Sequence, residues 1–306
     1  MATARPLKVG FILPQIEGRR AGTTPRWSDI REMAEVSEQM GFDSLWVVDH
    51  LLYGFGSEEP VRGVWEGWSL LAALAAVTTK PELGTLVVCT GFRSPALLAK
   101  MADTVDEISD GRLILGIGAG YFEREYNAFG FPYDHRFSRF EEALEIIAGL
   151  LRDGEIDYEG RFYFARDCEL RPRGPRPKGP PIMIGTRGEK MLRLTAKHAD
   201  SWNGWLARGD NRPAAIPALR DDVDAACREV GRDPGTLERT ATVFVDPTER
   251  AAQSSRGPVS GSPEEIAATL AAFADEGITH IQIASKVTRV QDLEPFVPIL
   301  EALDKL

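Results

Sequence analysis

The 306-residue sequence predicts an α/β protein of the (β/α)8 TIM-barrel class, with inserted loops at the C-terminal mouth of the barrel. Three observations carry this. Eight short apolar runs punctuate the chain, most of them continuous rather than alternating, as strands buried on both faces should be. Helical stretches fill most of the gaps. One junction recurs at Gly41, Gly111 and Gly277: a helix, a glycine whose left-handed turn ends it, then an apolar strand. A doubly wound sheet is the rival architecture, but eight strands alternating with helices favour the barrel.

In chain order, strands are expected at Lys8–Leu13, Ser44–Val48, Leu83–Val88, Arg112–Leu115, Pro181–Gly185, Ser201–Asn203, Thr240–Val245 and His280–Ala284. Helices are expected at Trp27–Met40, Gly67–Thr78, Pro95–Ile108, Phe137–Leu151, Glu189–His198, Ile216–Val230 and Pro263–Glu276. The last has explicit start signals: Ser262 as cap, Pro263 as first helical residue and Glu265 completing a capping box. Residues Glu123 to Glu125 resemble the start of another helix. Three segments interrupt the alternation and are expected to act as lids: Ile16–Arg26, Leu51–Glu66 and Asp153–Pro180. The third contains Asp157–Phe164, which has the pattern of a small hairpin. No linker divides the chain, so residues 1–306 are expected to form one domain with an insertion at about 153–180.

A hydrophobic content of 43% is ordinary for a soluble globular protein, and a net charge of −10 argues against a nucleic-acid or anionic-membrane partner. Cys89, Cys168 and Cys227 form no CxxC and have no histidine nearby, which favours a reducing, cytoplasmic setting and disfavours zinc. The N-terminus lacks the apolar core of a signal peptide, and the longest apolar runs are too short to span a bilayer. The expected partner is a small-molecule substrate.

The strand Arg112–Leu115 opens into Gly116, Gly118 and Gly120, where a missing Cβ lets backbone approach a flat or phosphorylated ligand. Tyr121 stands where a dinucleotide fingerprint needs Gly or Ala, and no acidic strand end follows at its spacing. A glycine-lined ligand floor is therefore expected, against a plain tight strand exit. Asp49-His50 follows the second strand at the functional end of the barrel. His50 can contact a polar cofactor ring or act as acid or base there, or else only order the following loop. Asp49 is expected to orient His50 or a backbone amide. Cys89-Thr90-Gly91 leaves the third strand on an irregular path. Arg93 suits either an anionic ligand or an ion pair. Gly185-Thr186-Arg187-Gly188 joins a strand to a helix N-terminus, where free N–H groups and a cation suit a phosphate. Trp65, Trp68, Tyr121, Phe122, Trp202 and Trp205 lie near strand ends, where aromatics can wall a planar ring or simply pack. Arg136 and Arg139, near Glu141 and Glu142, are expected to form a structural charge cluster. Lys286 is a weak Schiff-base candidate. No metal-ligand spacing is visible.

Together, Trp46–His50, Gly111–Tyr121 with Glu125, Pro181–Gly188 and Ala199–Asn203 resemble the luciferase-like monooxygenase superfamily, over about residues 8–304 and closest to its coenzyme F420-dependent oxidoreductase branch. The resemblance implies a TIM barrel with a flavin or deazaflavin in its mouth. It implies that His50 meets the polar edge of the ring and that Gly185 to Gly188 cradle the phosphate. It also implies a cis non-proline peptide between Cys89 and Gly91, pressing on the ring. The chain departs from the pattern at Thr186, where many relatives have a second glycine, and at Ser94, where many have histidine. The implied site is His50 as catalytic residue, with Asp49, His50, Cys89, Thr90, Gly91, Gly118, Gly120, Gly185, Thr186, Arg187, Gly188 and Trp202 binding the cofactor. Relatives are often dimers, so a homodimer is implied as well.

The expected function is hydride transfer between coenzyme F420 and a small organic substrate. The near rival is an FMN-dependent monooxygenase using O2. Its flavin must arrive reduced, from a separate reductase or by diffusion, because no NAD(P) fingerprint is visible. Two other classes are a non-catalytic flavin-binding protein and a cofactor-free lyase or isomerase acting on a phosphorylated substrate.

Overall fold

A computed structural model describes residues 5–18, 24–54, 60–207, 209–248 and 257–306. The elements, in order, are β1 (Lys8–Ile12), α1 (Trp27–Gln39), β2 (Ser44–Val47), α2 (Gly67–Val77), β3 (Glu82–Thr85), β4 (Val88–Cys89) and α3 (Pro95–Ile108). Then follow β5 (Leu113–Gly118), α4 (Glu123–Phe129), α5 (Arg136–Asp153), β6 (Glu155–Glu159), β7 (Phe164–Glu169), β8 (Ile182–Gly185) and α6 (Glu189–His198). The chain ends with β9 (Ser201–Trp205), α7 (Ile216–Glu229), β10 (Glu238–Phe244), α8 (Pro263–Asp275), β11 (His280–Ala284) and α9 (Val297–Leu303).

The strand order is β3-β2-β1-β11-β10-β9-β8-β5-β4, and a further β3–β5 pairing closes it into a parallel (β/α)8 barrel. The expected third strand is broken in two: Leu83–Gly84 and Val88–Cys89 each pair with β5, while residues 86–87 leave the ladder. The expected insertion folds as an antiparallel hairpin of β6 and β7, longer than the Asp157–Phe164 pattern indicates. The capping box of α8 forms as the sequence predicts, with Ser262 N donating to Glu265 Oε2 at 2.8 Å and Glu265 N to Ser262 Oγ at 3.2 Å. Two of the expected lids fall partly outside the described residues, at 19–23 and 55–59. No helix among the described residues is long and apolar enough to cross a membrane.

The contacts divide the chain into two compact units. One comprises residues 1–14, 25–46 and 185–306, the other 15–24 and 47–184. The first has an apolar cluster in which the rings of Phe11, Phe42 and Phe296 lie 5.4–6.3 Å apart. It also has a polar interior that apolar strand patterns do not announce. Ser44 Oγ lies 2.7 Å from His280 Nε2 and accepts from Trp46 Nε1 at 2.7 Å. Asn203 Nδ2 donates to Thr240 Oγ1 at 2.9 Å and to Gln282 Oε1 at 2.7 Å.

Burial, with a smaller contribution from Lys8, lowers the His280 pKa to about 3, so this imidazole is neutral in the native barrel. Its ordinary pKa is 6.5. Between these values the unfolded chain binds a proton that the folded one refuses, so stability is full above 6.5 and is lost progressively as pH falls towards 3. Urea midpoints across that range should fall in the wild type and flatten in His280→Gln. Parallel curves for the two proteins would show that His280 is not the source.

Candidate active site

In the unit of residues 15–24 and 47–184, the chain leaves β2 at Val47 and runs directly into Asp49 and His50. Asp49 is 3% exposed, so its charge must be answered locally. Arg93 does so as a two-pronged partner, Nη1 to Oδ2 at 2.7 Å and Nη2 to Oδ1 at 2.9 Å. Cys89 N also donates to Asp49 Oδ2 at 2.9 Å. Arg93 reaches on to Glu66, whose carboxylate caps α2 by accepting from Trp68 N and Ser69 N. Burial pushes the Glu66 pKa up, but the Ser69 and Trp68 bonds and the Arg93 charge outweigh it and hold the group below its ordinary value. Arg93 is thus an internal ion-pair partner. Asp49 holds a backbone amide, one of its two expected tasks, and does not orient His50.

Glu125 orients it instead. This carboxylate, on α4 and 1% exposed, lies 3.1 Å (Oε1) and 3.2 Å (Oε2) from His50 Nδ1. Its Oε2 also accepts from Leu51 N at 3.0 Å and Leu52 N at 3.3 Å. A carboxylate only accepts, so neutral His50 must carry its proton on Nδ1, leaving Nε2 with a lone pair. No residue among those described bonds Nε2. The rings of Tyr53 and Tyr121 stand edge-on to the imidazole at 5.4 and 5.5 Å. Glu125 lies 75 positions from His50; the sequence singles it out through the family resemblance, as an acid after the glycine-rich strand exit, but not as the partner of His50.

The glycines there have a packing reason of their own, beside the ligand floor that the sequence suggests. A Cβ on Gly116 would stand 2.0 Å from Thr85 O, and one on Gly118 2.8 Å from Val87 Cγ2. At Gly120, where φ is +69°, it would stand 2.2 Å from Tyr126 Oη and 2.6 Å from Cys89 Sγ. A Cβ on Gly91 would likewise stand 2.8 Å from the Tyr126 ring. Internal packing therefore already demands glycine at each position. Cys89 Sγ lies 2.8 Å from Tyr126 Oη, which donates to Ala119 O at 2.8 Å. Burial raises the Cys89 thiol to about 12, so it is neither a thiolate nor a nucleophile at neutral pH. Thr90 is buried and bonds Gly118 O at 3.4 Å. The cis non-proline peptide lies at Leu86–Val87, not between Cys89 and Gly91. Val88 and Cys89 are already fixed by the ladder with β5, and Thr90–Phe92 forms a 3-10 turn. Arg136 donates to Gly120 O at 2.6 Å and Arg139 pairs with Asp134, so both are structural, though not through Glu141 or Glu142.

The other unit holds the expected phosphate turn. Gly185 ends β8, Thr186 and Arg187 turn, and α6 begins after Gly188 with no side-chain cap. A cavity of about 360 Å3 is lined by Gly185, Thr186, Arg187, Trp205 and Gly209. Arg187 Nη2 donates to Trp205 O, leaving its other N–H groups without a protein partner among the described residues. Uncapped helix N–H groups beside a guanidinium, on a turn where a Cβ at Gly188 would meet nothing within 4 Å, form a fitting place for a phosphate. Trp202 is not part of that lining. It is 1% exposed, and its Nε1 donates to Thr186 O at 2.8 Å, so it braces the turn from within. Trp205, 38% exposed, is the aromatic at the cavity. Lys286 pairs with Asp246 at 2.8 Å and lies over the Phe244 ring.

Known proteins agree with this architecture. A family model of luciferase-like monooxygenases matches residues 7–257. A phthiodiolone/phenolphthiodiolone dimycocerosates ketoreductase of Mycobacterium tuberculosis is 30% identical over 315 residues, covering 94% of this chain and 78% of its own. A pyrimidine monooxygenase RutA of Caulobacter vibrioides is 30% identical over 210 residues, covering 66% of this chain and 57% of its own. An F420-dependent secondary alcohol dehydrogenase, solved with an F420–acetone adduct, shares the fold with a TM-score of 0.78 at 18% identity, covering 97% of this chain and 99% of that one. The chain belongs to the luciferase-like monooxygenase family and is an oxidoreductase.

Proposed function

We propose that this enzyme moves a hydride between coenzyme F420 and the carbinol or carbonyl carbon of a small alcohol or ketone. The observation that carries the reading is the His50–Glu125 pair. Oxidising C–OH to C=O releases a hydride and a hydroxyl proton. The deazaflavin, when bound, supplies the hydride acceptor at C5, or the donor in the reverse direction. His50 Nε2 takes the hydroxyl proton, and Glu125 stabilises the imidazolium that results. In the reverse direction the protonated imidazole returns the proton to the carbonyl oxygen. The rings of Tyr53 and Tyr121 stand edge-on to the imidazole. Arg187 and the N-terminus of α6 bind the cofactor phosphate, and Trp202 keeps the turn in shape. The similarity to a ketoreductase along 94% of the chain supports the same reaction class.

The similarity to a pyrimidine monooxygenase supports a second reading, an FMN-dependent monooxygenase fed by a separate reductase. An anaerobic panel of short alcohols with oxidised F420, and of ketones with reduced F420, separates the two. Turnover without O2 is expected. Turnover that appears only with reduced FMN and O2 would replace the proposal with the second reading.

Arg187→Ala should weaken F420 binding by about 1.5–3 kcal/mol, the range for a hydrogen bond to a charged group. The cofactor fragment lacking phosphate should bind both proteins alike. Equal losses for the two ligands would remove Arg187 from the phosphate site.

A further inference from the structure

We infer that Gln15 is a positioning residue for His50, fastening the loops at 15–18 and 62–66 to the segment that carries the imidazole. Its catalytic meaning rests on the acid–base role proposed for His50. Gln15 is 1% exposed. Its amide grips Val48 from both sides: Oε1 accepts from Val48 N at 2.8 Å, and Nε2 donates to Val48 O at 2.7 Å. The same Nε2 donates to Trp65 O at 2.9 Å, and the Gln15 carbonyl accepts from Trp65 N at 3.0 Å. One acceptor and two donors at the end of one uncharged side chain is the inventory of a carboxamide.

These bonds complete a sequence of restraints along five residues. Val48 is held by Gln15, Asp49 by Arg93, and His50, Leu51 and Leu52 by Glu125. The Gln15 link also reaches the second loop at Trp65, beside Glu66, which Arg93 ties to Asp49. The two loops are themselves joined. Glu17 N donates to Gly63 O at 2.8 Å, Gly63 N to Glu17 Oε2 at 2.7 Å, and Ile16 bridges Val64. The described parts of the loops are therefore tied together, and Gln15 bonds them to the backbone two residues before His50.

Hydrogen exchange and histidine NMR on the ligand-free full chain test this without any cofactor, so the outcome stands apart from whether F420 is used. In Gln15→Met, which keeps length and loses every side-chain bond, the amides of Val48, Leu51, Leu52 and Trp65 should exchange about tenfold faster, the ratio one lost hydrogen bond gives. The His50 ring signals should shift from a single Nδ1–H tautomer towards a mixture. Glu17→Ala is the control: it should speed Gly63 and leave residues 48–52 and the His50 ring unchanged. If Gln15→Met does not fold, Gln15→Glu serves, because a neutral acid keeps one acceptor and one donor and ionisation removes the donor. Its Leu51 and Leu52 amides should exchange near the wild-type rate where the acid is neutral and faster as it ionises. Faster exchange at Val48 and Trp65 with Leu51, Leu52 and the His50 ring unmoved, in either variant, would reduce Gln15 to a tie between loops.

Discussion

Glu125→Gln should lower kcat by about 10²–10⁴, the contribution of one well-placed acid–base group. Size and burial are nearly unchanged, so this is a test of charge and proton position. In the wild type, Oε2 receives the N–H groups of Leu51 and Leu52, while both oxygens face His50 Nδ1. The two backbone donors will claim the one oxygen that glutamine keeps. The amide NH2 is then presented to Nδ1, which can only accept it by giving up its proton. The imidazole shifts to the Nε2–H tautomer, and the nitrogen needed as base is blocked. The charge that stabilised the imidazolium is also gone. Steady-state rates with saturating cofactor, together with 15N spectra of the ring, measure both effects. A variant within threefold of wild type would show that His50 does not exchange a proton in the rate-limiting step.

Arg93→Met should cost about 3–5 kcal/mol of folding stability, because it strands a buried carboxylate. Asp49 is 3% exposed and the Arg93 side chain 10%, so water cannot replace the guanidinium without opening the site. The Glu66 end of the network is 37% exposed and adds little. The double variant Arg93→Met/Asp49→Asn should recover part of the loss, since it removes the stranded charge while leaving an acceptor for Cys89 N. Denaturant unfolding of the wild type, Arg93→Met, Asp49→Asn and the double variant gives the coupling directly. A single-variant loss below about 1 kcal/mol would place the pair among ordinary surface ion pairs.

Much of this was legible in the residues, for a physical reason. Barrel strands are short, continuous and apolar, and glycine ends the helices before them, so the alternation at Gly41, Gly111 and Gly277 marked the architecture. The end of β2 marked His50, and the turn after Gly185 marked the helix terminus beside Arg187. What local pattern cannot carry is partnership at a distance. Glu125 belongs to the motif that carries the resemblance, but its pairing with His50 Nδ1 shows only once folding brings them together. Gln15 has no motif at all. Trp202 and Trp205 are three positions apart, yet one is sealed in the interior and the other lines the cavity. A Cβ at Gly116, Gly118 or Gly120 would meet Thr85, Val87, Tyr126 or Cys89, which only the packed structure reveals. The break between β3 and β4 likewise depends on pairing with β5.

The central claim is that the bound cofactor is the deazaflavin. Its most direct test is a fluorescence titration of the purified chain with F420 and, separately, with FMN under the same conditions. The account predicts saturable binding of F420, tighter than that of FMN and weakened by Arg187→Ala. Tight FMN binding with no measurable affinity for F420 would contradict it.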